Sequence, residues 1–202
     1  TGTDNGDGTW TLTPADLAGL TVTPPADSDV DFTLSVSATS TEREGDSATT
    51  VSSLNVTVTG VADVPTVTIN DAAGAEDSAI PLDITAALTD VDGSESLGIT
   101  IAAVPLGAVL SAGTDNGNGT WTLIPADLAG LTITPAPDSD ADFILSVSAT
   151  STEREGDSAT TVSSLNVTVT GVADQPTVTI NDAAGAEDSA IPLDIGVALN
   201  DI

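Results

Sequence analysis

Cysteine, histidine, lysine, methionine and tyrosine are all missing from this 202-residue chain, and its only basic side chains are Arg43 and Arg154. Without cysteine there are no disulfides, so an extracellular β domain of this kind needs another staple, and metal is the usual one. Without histidine, cysteine, lysine or tyrosine, an enzyme would depend on carboxylates held in a pocket that tunes their pKa values, and here the acids fall at turns. Enzymatic activity is therefore not expected. The scarcity of positive charge leaves a net charge of −29 from 31 acids. Binding to nucleic acid by phosphate neutralisation is excluded, as is adhesion to an anionic membrane face. No apolar run approaches the roughly 20 residues of a membrane helix, so no direct membrane insertion is expected. Neither a signal peptide nor an anchor is visible. The missing methionine is read as the mark of an internal piece of a longer protein.

What the chain does contain is itself, twice. Residues 2–91 align with 113–202 without a gap and with 12 mismatches, Asp7/Asn118 and Val64/Gln175 among them, and residues 34–63 are identical to 145–174. A repeat of about 111 residues describes an array whose property scales with copy number, which favours length or multivalency over a single active site. The expected organisation is a partial repeat at 1–64, a complete repeat at 65–175 and the beginning of another at 176–202. The boundary is sought in Gly60-Val61-Ala62-Asp63-Val64-Pro65, a joint too short to keep neighbouring domains from touching.

Within the repeat the apolar residues alternate. Phe143, Leu145, Val147 and Ala149 share one phase, and Leu165, Val167 and Val169 alternate with Asn166, Thr168 and Thr170. Period two, with threonine, valine and isoleucine dominating, predicts strands. They are expected near 66–70, 80–88, 97–103, 108–112, 119–124, 130–134, 142–150 and 160–171, with one helical turn at Pro125–Gly130. Turn signals such as Asp92-Gly93, Asn116-Gly117 and Gly156-Asp157 separate them. Many short antiparallel strands at this spacing describe an all-β sandwich. Trp10 and Trp121 sit in strand-like TWTL segments and are expected to be buried.

Three acidic groups occupy turns: Glu76-Asp77, then Asp90-Val91-Asp92-Gly93-Ser94-Glu95, then Asp138-Ser139-Asp140-Ala141-Asp142 with Asp27, Asp29 and Asp31 as its earlier copy. Asp63 and Asp174 stand alone in the linkers. Alternate acids on irregular backbone place several hard oxygens on one ion, as calcium requires. The same acids also suit a solvated surface of a salt-adapted protein, and the two readings are compatible. Asp4-Asn5-Gly6-Asp7-Gly8 looks like a calcium loop, but Asn118 replaces Asp7 in the second copy and a hairpin turn tolerates that change. Glu153-Arg154-Glu155 reads as a solvated loop, with internal pairing or an approach to the junction as alternatives. The Thr-x-Thr runs are ordinary outward strand positions.

The segments LTDVDGSESLGITI, GTDNGNGTWTLIPADLAGLTI, DFILSVSAT and VADQPTVTI together resemble the Ig-like, cadherin-like repeats of giant type I-secreted RTX adhesins of Gram-negative bacteria. That resemblance covers the whole chain, and the GTWTL–PADLAGL pair is its most specific element. It implies tandem Ig-like antiparallel β-sandwiches forming a calcium-rigidified stalk on the cell surface, in contact with neighbouring repeats and open to end-to-end self-association. By cadherin-like logic the junction would use Asp29, Asp31 and Asp63 with Asp90, Asp92 and Glu95. Glu76, Asp77, Glu187 and Asp188 would serve at their own lower ends. Asp140, Asp142, Asp174 and Asp201 complete the expected calcium ligands as their equivalents. The linker carries one acid where cadherins have a run of Asp and Asn, which implies fewer ligands. Two other functions remain open at this point: a carbohydrate- or surface-binding module, which should expose loop aromatics, and a subunit of a surface filament, which should make end-to-end contacts.

Overall fold

The computed structural model describes residues 2–200. With 46% strand and 4% helix the chain is all-β, the helical share being two short 3-10 turns at Pro14–Leu17 and Pro125–Leu128. It divides into two compact units, Thr1–Gly60 and Val61–Ile202.

The first unit holds strands β1 (Thr3–Asp4), β2 (Trp10–Thr11), β3 (Phe32–Thr41) and β4 (Ser47–Val56). β1 pairs with β2, and β3 with β4 in register from Phe32↔Val56 to Thr41↔Ser47. Trp10 is 58% exposed, against the expectation of burial, whereas its copy Trp121 is buried. The reason is pairing: among the described residues β2 has only β1 beside it, while the strand containing Trp121 is flanked on both sides.

The second unit holds β5 (Thr66–Asn70), β6 (Ala72–Ala75), β7 (Ile80–Pro81), β8 (Asp83–Ala87), β9 (Glu95–Ala102), β10 (Val109–Leu110), β11 (Thr114–Asp115), β12 (Trp121–Leu123), β13 (Thr132–Thr134), β14 (Phe143–Glu153), β15 (Ser158–Thr170), β16 (Thr177–Asn181) and β17 (Asp194–Ala198). A six-stranded sheet runs β11-β12-β9-β14-β15-β6, a three-stranded sheet β10-β13-β7, and β5 pairs with β8. These sheets share one core, with Ile99, Ile101, Leu145, Val147, Leu165 and Val167 from the large sheet against Ile80, Leu110, Ile133 and Ile84 from the others. The arrangement is compatible with a β-sandwich. The inward phase read from the sequence is the buried one: Leu145, Val147, Ala149, Leu165 and Val167 are at most 1% exposed. Among the described residues, β16 and β17 pair only with each other.

Two expectations need correction. The single strand at 80–88 is two strands in different sheets, because the chain changes partners at Leu82, whose N–H donates to the Leu131 carbonyl. The sheet is also not purely antiparallel: β6, a strand of alanine and glycine absent from the sequence reading, runs parallel to β15 from Val167↔Ala72 to Thr170↔Ala75.

The segment before β5 is fastened to the unit by side chains. Asp157 accepts the Ala62 N–H at 3.0 Å and Glu95 accepts the Asp63 N–H at 2.7 Å. The carbonyls of Asp63, Val64 and Pro65 accept hydroxyl protons from Ser151, Thr89 and Thr161. Five backbone groups of residues 62–65 are thereby satisfied without strand pairing.

Candidate metal centres

Strand register decides which acids meet. Antiparallel pairing sets Glu153 opposite Glu95, so the start of β9 and the end of β14 lie at one end of the large sheet. β15 runs back from there for 13 residues, roughly 40 Å at strand rise. It reaches the opposite end beside Asp142 and Glu76. The turn acids are thus sorted into two groups.

At the first end, the Asp90 loop folds on its own carboxylates. Asp90, 5% exposed, accepts the Asp92 N–H at 2.8 Å, and Asp92 accepts the Ser94 N–H at 2.8 Å. The Ser94 hydroxyl lies 2.6 Å from Asp92 Oδ1 and 3.5 Å from Glu153 Oε1. Its hydroxyl and N–H hold the Asp92 carboxyl below the usual range, with the charge of Arg154 adding to the effect. Glu95 uses one oxygen on the Asp63 N–H; its Oε2 and that of Glu153 are buried and have no hydrogen-bond partner among the described residues. Burial pushes the Glu153 carboxyl up, and the charges of Glu95 and Glu155 push it further.

Of the three residues expected in a solvated loop, only Arg154 and Glu155 are so placed; Glu153 is 4% exposed. The cause is phase. Ser151 and Glu153 continue the alternation of Leu145, Val147 and Ala149 and point to the core side of β14. The signal was present in the sequence, at positions where the side chains turn polar.

At the second end, Asp77, Asp138 and Asp174 each place a carboxylate oxygen within 4.8 Å of the others, and all three residues are exposed. Asp77 and Asp138 both take left-handed backbone, with φ of 55°, a conformation that aspartate tolerates better than most residues. Asp77 accepts the Asp138 N–H at 3.2 Å. Glu76 is buried and accepts the Val172 N–H, and Asp142 accepts the Val169 N–H at 2.8 Å. Gly171 lies between Asp140 and Glu76, where an added Cβ would come 3.5 Å from Asp140 Oδ2 and 3.6 Å from Glu76 Oε1.

Of the other residues expected at metal sites, Asp31 accepts the Val58 N–H within the first unit, as its copy Asp142 does with Val169. Asp29 is half-buried in the same unit. Glu187 and Asp188 are exposed between β16 and β17, and Asp201 lies outside the described residues. A donor set made only of carboxylate oxygens, some of them buried, fits a hard cation such as calcium better than any soft metal. No protein-family model matches this sequence, and no curated protein matches it.

Proposed function

We propose that the chain is a length of calcium-rigidified extender, built of tandem Ig-like, cadherin-like β-sandwich repeats of about 111 residues. In this reading it belongs to a surface adhesin of a Gram-negative bacterium, secreted by the type I route, and holds a ligand-binding tip away from the cell. The observation that carries the reading is the gathering of turn acids at both ends of one sheet. Asp63, Asp90, Asp92 and Glu95 form one group, and Glu76, Asp77, Asp140, Asp142 and Asp174 the other. Both groups lie next to the linker residues that join one copy to the next. Calcium bound there would neutralise like charges that otherwise repel, and each joint would stiffen. Near-identical copies suit a spacer, whose length is set by their number.

Chains of two, three and four copies, measured by small-angle scattering, test this. In calcium the maximum dimension should rise linearly with copy number, and after chelation it should fall below that line. A dimension that ignores calcium would overturn the extender reading. A reproducible glycan-array hit lost on changing one exposed loop residue would instead favour a binding module.

A further inference from the structure

Three asparagines of the chain are followed by glycine: Asn5, Asn116 and Asn118. Such a pair is open to attack by the glycine nitrogen on the asparagine side chain, because glycine has no Cβ to shield that nitrogen. The three pairs differ in how the nitrogen is held. The Gly6 N–H donates to Asp4 at 2.9 Å and the Gly117 N–H to Asp115 at 2.8 Å. The Gly119 N–H has no hydrogen-bond partner among the described residues. The side chains differ as well. Asn5 and Asn116 spend their amide N–H groups on threonine hydroxyls, Asn116 on those of Thr120 and Thr122 at 3.0 and 3.1 Å. The Asn5 Oδ1 receives only the Thr11 hydroxyl, at 3.4 Å. Asn118 uses its oxygen instead: Oδ1 accepts the Thr120 N–H at 3.2 Å and the Thr120 hydroxyl at 2.6 Å.

We propose that Asn118 is a site of spontaneous deamidation, selected from the three by the hydrogen bonds of its turn. Two donors on Oδ1 polarise the side-chain carbonyl and stabilise the negative charge that develops on it under attack. The Gly119 nitrogen, bound to no acceptor, adds to Cγ of Asn118. The Cγ–Nδ2 bond breaks, and ammonia leaves with the proton that the Gly119 nitrogen gives up. Water then opens the cyclic imide at either carbonyl, giving aspartate or the isomer whose chain runs through the side chain. Water is consumed and ammonia released, with no change of oxidation state. Asn118 is exposed, so water reaches it. The aspartate product also has its bonds waiting. Asp7 stands at the equivalent place in the first unit and accepts the Thr9 N–H at 3.0 Å and the Thr9 hydroxyl at 2.6 Å. The turn between β11 and β12 therefore keeps its form while gaining a negative charge, and the second copy comes to read like the first.

The test uses the full 202-residue chain, kept in mildly alkaline heavy-oxygen water and mapped by peptide mass spectrometry. Folded and urea-unfolded samples are followed side by side. In the folded chain Asn118 should convert about tenfold or more faster than Asn5 and Asn116; unfolded, the three rates should converge. Thr120→Val, which removes the hydroxyl donor, should slow conversion of Asn118, and Thr120→Ser should restore it. Asp115→Ala frees the Gly117 N–H and should speed conversion of Asn116, whereas Asp115→Asn keeps an acceptor and should not. Asn118 converting no faster than the other two in the folded chain overturns the inference, and so does a folded Thr120→Val that matches the parent's rate. Should Thr120→Val fail to fold, the ranking of the three asparagines in the folded parent still decides.

Discussion

The buried carboxylate of Glu76 accepts the backbone N–H of Val172, 96 residues further along the chain. One acid from the turn before β7 therefore pins the point at which β15 leaves the sheet. Nearby, the Glu76 N–H donates to the Thr170 carbonyl at 3.0 Å, so the same residue is bonded to the exit from both its backbone and its side chain.

Removing that acceptor breaks a part-buried hydrogen bond between the Glu76 carboxylate and the Val172 N–H. Glu76→Ala should lower unfolding stability by about 1–3 kcal/mol, and Glu76→Gln, which keeps an acceptor oxygen, by clearly less. Denaturant unfolding in calcium-free buffer measures both. Equal losses would mean that Glu76 matters through its charge and not through this bond.

The two copies offer an internal control on packing. Leu145 is fully buried and its copy Leu34 is 36% exposed. Leu145→Ala should cost about 2–5 kcal/mol through lost contacts and a cavity, and Leu34→Ala roughly half of that or less, since some of the side chain already meets water. Trp121 fluorescence in a Trp10→Phe background follows the first, and Trp10 in a Trp121→Phe background the second.

Asp16 accepts both the hydroxyl and the N–H of Thr13, at 2.6 and 2.8 Å, and the hydroxyl is the larger reason its carboxyl is held below the usual aspartate range. A carboxyl that binds its proton more weakly when folded contributes stability above the unfolded aspartate pKa, and that contribution is lost as pH falls through the lower folded value. In the second copy Ile124 replaces Thr13, and Asp127 keeps only the backbone bond, at 2.9 Å. Thr13→Ile should therefore raise the Asp16 titration midpoint, followed by side-chain carboxyl carbon shifts. An unmoved midpoint would remove the hydroxyl as the cause.

Calcium should raise the melting temperature and magnesium much less. At 100 times the dissociation constant one site stabilises by about 2.7 kcal/mol. Asp77→Asn combined with Asp174→Asn should shrink the calcium increment, because it takes two of the three clustered carboxylates at that end. Sodium chloride raising the melting temperature as much as calcium would reduce the effect to charge screening.

Much of this was legible in the residues. The alternation around Leu145 and Leu165 decided which face turns inward, because a strand's side-chain period is two wherever it pairs. The turn acids were legible because Asp-x-Asp-Gly marks irregular backbone. What escaped is what depends on distant pairing. β6 has no β-branched residue, and its partner β15 lies about 95 positions on. The break at Leu82 was hidden because Ile80, Leu82 and Ile84 keep one apolar phase through a change of sheet. Glu153 was missed at the turn from apolar to polar in β14, where its register sets it opposite Glu95.

The parallel pairing of β6 with β15 also decides how the domain meets a pulling force. β6 lies near the start of the repeat and β15 carries the chain out of it, and both run the same way. Tension that reaches them drags β6 toward its N-terminus and β15 toward its C-terminus, along one axis in opposite senses. The pairs from Val167↔Ala72 to Thr170↔Ala75 are then sheared together, with their bonds lying across the direction of slip. They give way at once or not at all, whereas the long β14–β15 hairpin, opened from its free end, would unzip pair by pair.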